Sequence, residues 1–194
     1  MAPRLAGAGD LDAVTTTLAL AFEGDPLWRW AFPDASKLEP FWRFFIGSAL
    51  ARYPGVWVSG DYAAAAIWIP PGGSELTDEE DEQIEPLLRS LVGDRARDVL
   101  TLIERFDEAH PPEPPHYYLS LLGTHPEHRG KGVGMALLAD TLARIDAEGQ
   151  PAYLESSNPA NDARYERLGF RKVGELATPD GAHRAATMWR EVRA

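Results

Sequence analysis

The sequence predicts a single α/β domain spanning residues 1–194, with helices and strands interleaved along the chain. Three observations carry this prediction. Apolar residues recur at helical spacing over positions 11–22, 38–49 and 133–145. Short apolar and aromatic runs bounded by Pro, Gly and Asp mark strands at 56–58, 63–69, 117–124 and 152–156. The composition, 44% hydrophobic and 25% charged, suits a chain that buries one full core.

Taken in order, Asp10 stands as a cap for a helix carrying Leu11, Val14, Leu18, Ala21 and Phe22 on one side. Asp25-Pro26 breaks that helix, and residues 27–33, with Trp28, Trp30 and Phe32, come close to strand alternation. A second helix is expected over 37–52, with Leu38, Phe41, Trp42, Phe45, Ile46 and Ala49 as its apolar stripe. Pro54-Gly55 is a turn, and Gly60-Asp61 joins the strand at 56–58 to the one at 63–69 as a tight hairpin. Beyond Pro70-Pro71-Gly72-Gly73, residues 77–109 read as a helical insertion in two pieces that meet near Gly93-Asp94. Its acidic start, Asp78 to Glu82, suits the positive end of a helix dipole. The prolines of 111–115 form a stiff connector into the strand at 117–124. After the turn His125-Pro126-Glu127-His128, a helix from about Lys131 to Ala147 buries Val133, Leu137, Leu138, Leu142 and Ile145. A short helix over 161–168 ends in Gly169, and strands at 170–175 and 183–192 form a last hairpin around Pro179-Asp180-Gly181.

Composition narrows the functional classes. The chain has no cysteine, which removes disulfides, thiolate metal sites and a cysteine nucleophile, and fits a cytoplasmic protein. A formal net charge of −11 repels nucleic acid and anionic membranes and is compatible with a cationic amine as partner. There is no uncharged apolar run of about 18 residues, and the first five residues lack the apolar core of a signal peptide. The five histidines lack the spacing of a metal site, so no metal is expected.

The segment richest in chemistry is Arg129-Gly130-Lys131-Gly132-Val133-Gly134, between a strand and a helix. Glycines let the backbone approach a ligand, and the free N–H groups of a first helical turn favour a phosphate or pyrophosphate. Arg129 and Lys131 can add charge-assisted hydrogen bonds. The same glycines can also simply cap a helix or permit close packing. No Gly-Lys-Ser/Thr follows, so this is not a P-loop, and its late position after a His-Pro turn does not fit a dinucleotide fingerprint.

The run from Leu119 to Gly134 resembles the signature of the GNAT acetyltransferase superfamily: a strand, a Pro-containing turn, then Arg/Gln-x-x-Gly-x-Gly/Ala opening a helix. A second signature of that family, Asn followed by Tyr-x-x-x-Gly-Phe, is matched by Asn158, Asn161 and Tyr165 to Phe170. Looser similarity at residues 18–22, 56–58, 66–68 and 153–157 points to the subfamily of puromycin N-acetyltransferase. The resemblance implies a mixed, mostly antiparallel twisted sheet whose central strand pair splays apart, flanked by helices, with a helical insertion near 74–110. It implies acetyl-CoA as acyl donor and a small-molecule amine as acceptor. It also makes a homodimer plausible.

Carried over by residue, the resemblance implies that the backbone of Leu122, Gly123 and Thr124 bonds the pantetheine arm, with the Leu122 N–H as oxyanion donor. Arg129, Gly130, Lys131, Gly132, Val133 and Gly134 hold the pyrophosphate, and either Asn158 or Asn161 contacts the pantetheine amides. Tyr165 is the general acid for the departing sulfur. A base must also take the proton of the amine. Glu155 is the leading candidate, and His116 and His110 stay open; Asp25 and Glu23 fall where the family lines its acceptor pocket, or serve as a cap or turn. Trp28 and Phe32 are candidate walls of an acceptor pocket, Trp42 and Phe45 read as core, and the insertion is expected on the acceptor side. A protein or peptide acceptor, and a CoA-binding module without catalysis, remain as alternatives.

Overall fold

The computed structural model describes residues 2–193. Seven strands form one sheet: β1 (Arg4–Leu5), β2 (Val56–Val58), β3 (Ala64–Ile69), β4 (Tyr117–Thr124), β5 (Ala152–Ser156), β6 (Arg171–Ala177) and β7 (Arg184–Arg190). Their spatial order is β1-β2-β3-β4-β5-β7-β6, antiparallel throughout except for the parallel pair β4–β5. One face carries α1 (Leu11–Phe22), α2 (Pro26–Ala31), α3 (Leu38–Arg52) and the insertion, which comprises α4 (Asp78–Asp81), α5 (Ile84–Val92) and α6 (Ala96–Ala109). The other face is covered by α7 (Val133–Ala147), with Tyr165 and Leu168 of the segment around α8 (Asp162–Arg167) packed against the same core.

Residues 27–33 are not a strand. Asp25 accepts from the N–H groups of Leu27 and Trp28, and Pro26 takes the first helical position, so cap and proline together start α2. The apparent alternation came from aromatics with different tasks. Trp28 is buried against Trp42 with ring centroids 4.5 Å apart, whereas the Trp30 indole turns outward to donate to Asp180 at 2.7 Å. Asp10 likewise does not cap α1 with its side chain; its carboxylate takes the Gly7 N–H and pairs with Arg4. Helix α7 starts at Val133, after a turn through residues 129–132.

Strand β4 carries one irregularity. The β3–β4 ladder pairs Ile67 with Leu121 and Trp68 with Leu119, which leaves Ser120 as an extra residue. The bulge switches the faces of β4: Leu119 packs with the α7 core and Leu121 with the core on the α1 side. The β4–β5 ladder ends at the same place. Its pairs are Tyr117–Ala152, Tyr118–Tyr153 and Leu119–Leu154, although β4 runs on to Thr124 and β5 to Ser156. Strand β5 stays paired with β7 along its whole length, so β4 is the strand that leaves. The sheet therefore opens into a V between its two central strands.

Candidate active site

At the wide end of the V lies a groove lined by the glycine-rich turn, the end of β4 and residues of the α8 segment. Gly130 and Gly132 have φ of 76° and 74°, which an L side chain rarely adopts, and this backbone turns the segment into α7. Among the described residues, the N–H groups of Gly130, Gly132, Val133, Gly134 and Met135 have no protein acceptor; the first bond of the helix is Ala136 N–H to Gly132 O at 2.9 Å. Five free amides at a helix N-terminus fit a pyrophosphate in number and polarity. Gly134 also lets α7 meet β4, since a Cβ there would stand 2.3 Å from Thr124 Oγ1.

Two members of the expected set behave differently. The Arg129 guanidinium donates to Leu20 O and Ala21 O, at 3.4 and 2.8 Å, and so caps the last turn of α1. Its amide is taken by Pro126 O at 3.2 Å. The Lys131 amide leans on His128 O at 3.4 Å, and Lys131 does not line the groove. The basic side chains that do line it beside Arg129 are His128, Arg164 and Arg167. The sequence reading missed both α8 arginines, although their place on either side of Tyr165 was a usable signal.

The exposed edge of β4 is selective about which residues it offers. The His125 N–H points to β3, bonding Ala63 O at 2.9 Å. Alternation in an antiparallel ladder then turns Gly123 and Leu121 toward β3 and turns Leu122 and Thr124 toward the gap. Gly123 is thus misplaced as a backbone donor to a ligand in the gap. Its task is packing, because a Cβ would lie 2.7 Å from Ala21 and 2.8 Å from Leu18 of α1.

Beyond Leu122 the groove joins an inner chamber under α2, α3 and α6. Leu122, Glu155, Asn161 and Tyr165 all line it, so the fold gathers the principal sequence candidates at one spot. Asn161 faces both groove and chamber, whereas Asn158 lines only the groove and its Oδ1 accepts from the Ala160 N–H at 3.1 Å. Trp28 walls the chamber as expected. Trp42 and Phe45, read as core, are core and wall at once; Phe32 is core alone, and Glu23 does not reach the site.

Four carboxylates face this chamber: Asp25, Glu75, Asp107 and Glu155, with no Lys, Arg or His among its lining residues. Glu155 Oε1 is buried without a hydrogen-bond partner. Burial pushes its carboxyl up to about 8, against the pull of the phenols of Tyr118 and Tyr153. Glu75, which no sequence signal had marked, accepts from the Ser120 hydroxyl on the bulge, and burial pushes it up to about 7. Asp25 is also raised by burial, while it accepts from Leu27, Trp28 and Ser157 Oγ. Burial, then the charge of Asp25, holds Tyr165 above the ordinary phenol range, so it stays protonated as a donor.

His110 and His116 stand further out. Their Nε2 atoms are 3.0 Å apart, and His116 Nδ1 lies 2.7 Å from Pro114 O. The carbonyl accepts, so His116 Nδ1 carries a proton. Burial pushes His110 down to about 4.

A sheet split between parallel strands, with free amides at one end and buried carboxylates at the other, has the build of a group-transfer enzyme. The chain belongs to the Acetyltransferase (GNAT) family, whose family model matches residues 26–170. It is similar to an uncharacterized N-acetyltransferase of Schizosaccharomyces pombe, 25% identical over 193 residues, covering 88% of this chain and 74% of the relative. Among solved structures it resembles a histone acetyltransferase HPA2 and related acetyltransferase from Corynebacterium glutamicum, with a TM-score of 0.71 and 26% identity over 99% of this chain and 96% of that one. The fold is shared with arylalkylamine N-acetyltransferase 2 of Aedes aegypti, at a TM-score of 0.68 and 14% identity over 99% of both chains. No helix is long and apolar enough to cross a membrane among the described residues.

Proposed function

We propose that the chain, acting as one catalytic domain over 1–194, transfers the acetyl group of acetyl-CoA to a primary amine of a small molecule by direct attack in a ternary complex. The observation that carries this reading is the convergence of Leu122, Tyr165 and the unpartnered Glu155 where groove and chamber meet. The free amides of the glycine turn suit the pyrophosphate, and the N–H groups of Leu122 and Thr124 suit the pantetheine arm, with Asn161 beside it. When bound, acetyl-CoA supplies the activated acyl group.

The chamber receives the acceptor as an ammonium ion among rings and carboxylates. Glu155 takes one proton, which frees the nitrogen lone pair. The amine attacks the thioester carbonyl carbon, and the Leu122 N–H donates to the oxygen as it gains charge. The C–S bond then breaks and Tyr165 gives its proton to the sulfur. The nitrogen's second proton returns to the Tyr165 oxygen in the same collapse, which restores the acid. Overall one proton ends on sulfur and one is released. The absence of cysteine agrees with direct transfer.

A chamber walled by Trp28, Phe41, Trp42 and Phe45 favours a small amine over a protein chain. The resemblance to puromycin N-acetyltransferase supports the same class, and we place the reaction in the cytoplasm, with a homodimer as the working assembly. The test is a thermal shift with acetyl-CoA followed by thiol release across small amines and peptides. Stabilisation with turnover of small amines is the expected result. Turnover of peptides alone overturns the acceptor class; stabilisation without any turnover leaves a non-catalytic module; no stabilisation removes the reading altogether.

A further inference from the structure

The chamber does not end at Tyr118. Glu75, Asp107 and Tyr118 also line a second, adjoining cavity, bounded by the loop before α4, by α6 and by the proline connector. Asp78 and Asp81 line this outer cavity together with Glu75 and Asp107; it has no Lys or Arg, and of the two imidazoles that also line it, His110 and His116, burial pushes His110 down to about 4. Among the described residues, Asp78, Asp81 and Asp107 form no ion pair. The guanidinium nearest the loop, Arg52, is engaged by Ser48 Oγ and by the carbonyls of Ser74 and Glu75.

Like charges gathered without a counter-ion cost free energy unless a cation joins them. Burial raises the carboxyl of Asp107 first, and the charges of Asp81 and Glu104 add to that rise. An independent sign of a missing cationic donor lies at the inner end of the same passage. Glu155 Oε1 is buried there with no partner. Ser120 satisfies one oxygen of Glu75 and leaves the other free. No three carboxylates or imidazoles converge tightly enough to hold a metal ion among the described residues. The arrangement instead spreads its negative charge along a passage, with the rings of Tyr118 and Phe45 in both cavities.

Resting on the N-acetyltransferase reading above, we propose that the acceptor is a dication, an α,ω-diamine or guanidino-amine, whose reacting nitrogen sits by Glu155 and whose second cationic group is held in the outer cavity by Asp81 and Asp107. The reacting nitrogen gives up its proton; the far group stays charged and anchors the chain. An amino acid is a poor acceptor, because its carboxylate faces the same negative field. A simple arylalkyl monoamine leaves the outer carboxylates uncompensated.

The experiment compares kcat/KM for 1,5-diaminopentane and n-pentylamine, measured by thiol release from acetyl-CoA at low salt. The wild-type chain and Asp81→Asn/Asp107→Asn are assayed together; both side chains are exposed enough for the exchange to spare the fold. The expected result is a diamine preference of about tenfold or more, which falls to about twofold in the variant and shrinks with added salt. Equal use of both amines by the wild type overturns this inference and leaves the acetyltransferase reading standing. A preference that survives in the variant overturns the assignment to Asp81 and Asp107. Failure of both amines, with no other amine turned over, removes the underlying reading and this one with it.

Discussion

The groove and the chamber meet at Leu122 yet are electrostatic opposites. Four basic side chains, His128, Arg129, Arg164 and Arg167, line the groove with a single acid, Asp25. The chamber carries four acids and no base. The net charge of −11 conceals this division. Anion recognition on one side rests chiefly on backbone N–H groups, which stay charge-neutral and fixed; cation recognition on the other rests on carboxylates and rings. The comparison teaches that, in the proposed reaction, two substrates of opposite charge would be sorted to opposite sides of one peptide group, that of Leu122.

Removing the central carboxylate strains that division most. Glu155→Gln is expected to lower kcat/KM by roughly 10²–10⁴-fold. A base works deprotonated, so wild-type log kcat/KM climbs with pH and levels above about 8, the value to which burial raises Glu155. In the glutamine variant the remaining limb moves toward about 7, that of Glu75. An unmoved profile would hand the role to another group. Tyr165→Phe is next: kcat falls about 10²-fold while the dissociation constant for acetyl-CoA, by calorimetry, stays within about twofold. On the groove side, Gly134→Ala forces a Cβ onto Thr124 Oγ1 and is expected to weaken acetyl-CoA binding about tenfold. Smallest is Arg164→Ala with Arg167→Ala, an exposed pair whose loss weakens acetyl-CoA about two- to fivefold, an effect that titrates away with salt. If this pair alters amine KM instead, the two regions are less separate than their linings indicate.

Much of the architecture was readable because it is locally encoded. The glycine turn declares itself by residue type, and the signature around Tyr165 set the last helix and its Gly169 stop. Long-range features were not readable. Glu75 matters through Ser120, which is 45 positions away and faces it only because β4 bulges there. The direction of Gly123 follows from ladder alternation counted from His125, and the preceding strand offers no sign of it. Helix α2 was hidden because the spacing of Trp28, Trp30 and Phe32 mimics alternation, while the stronger cue, Asp25-Pro26, was read as a break rather than a start.

The Arg129 contact with the end of α1 links the glycine turn to the wall of the chamber. From Ala21 the chain runs directly into Phe22 and Asp25, which wall the chamber, while the arginine itself belongs to the turn proposed to receive the diphosphate. In the proposed reaction, a bound diphosphate that steadies the turn would steady the acceptor's wall with it. Compulsory-order kinetics, with the acyl donor leading and CoA departing last, is what such a tether produces, and the pattern of product inhibition reads it out.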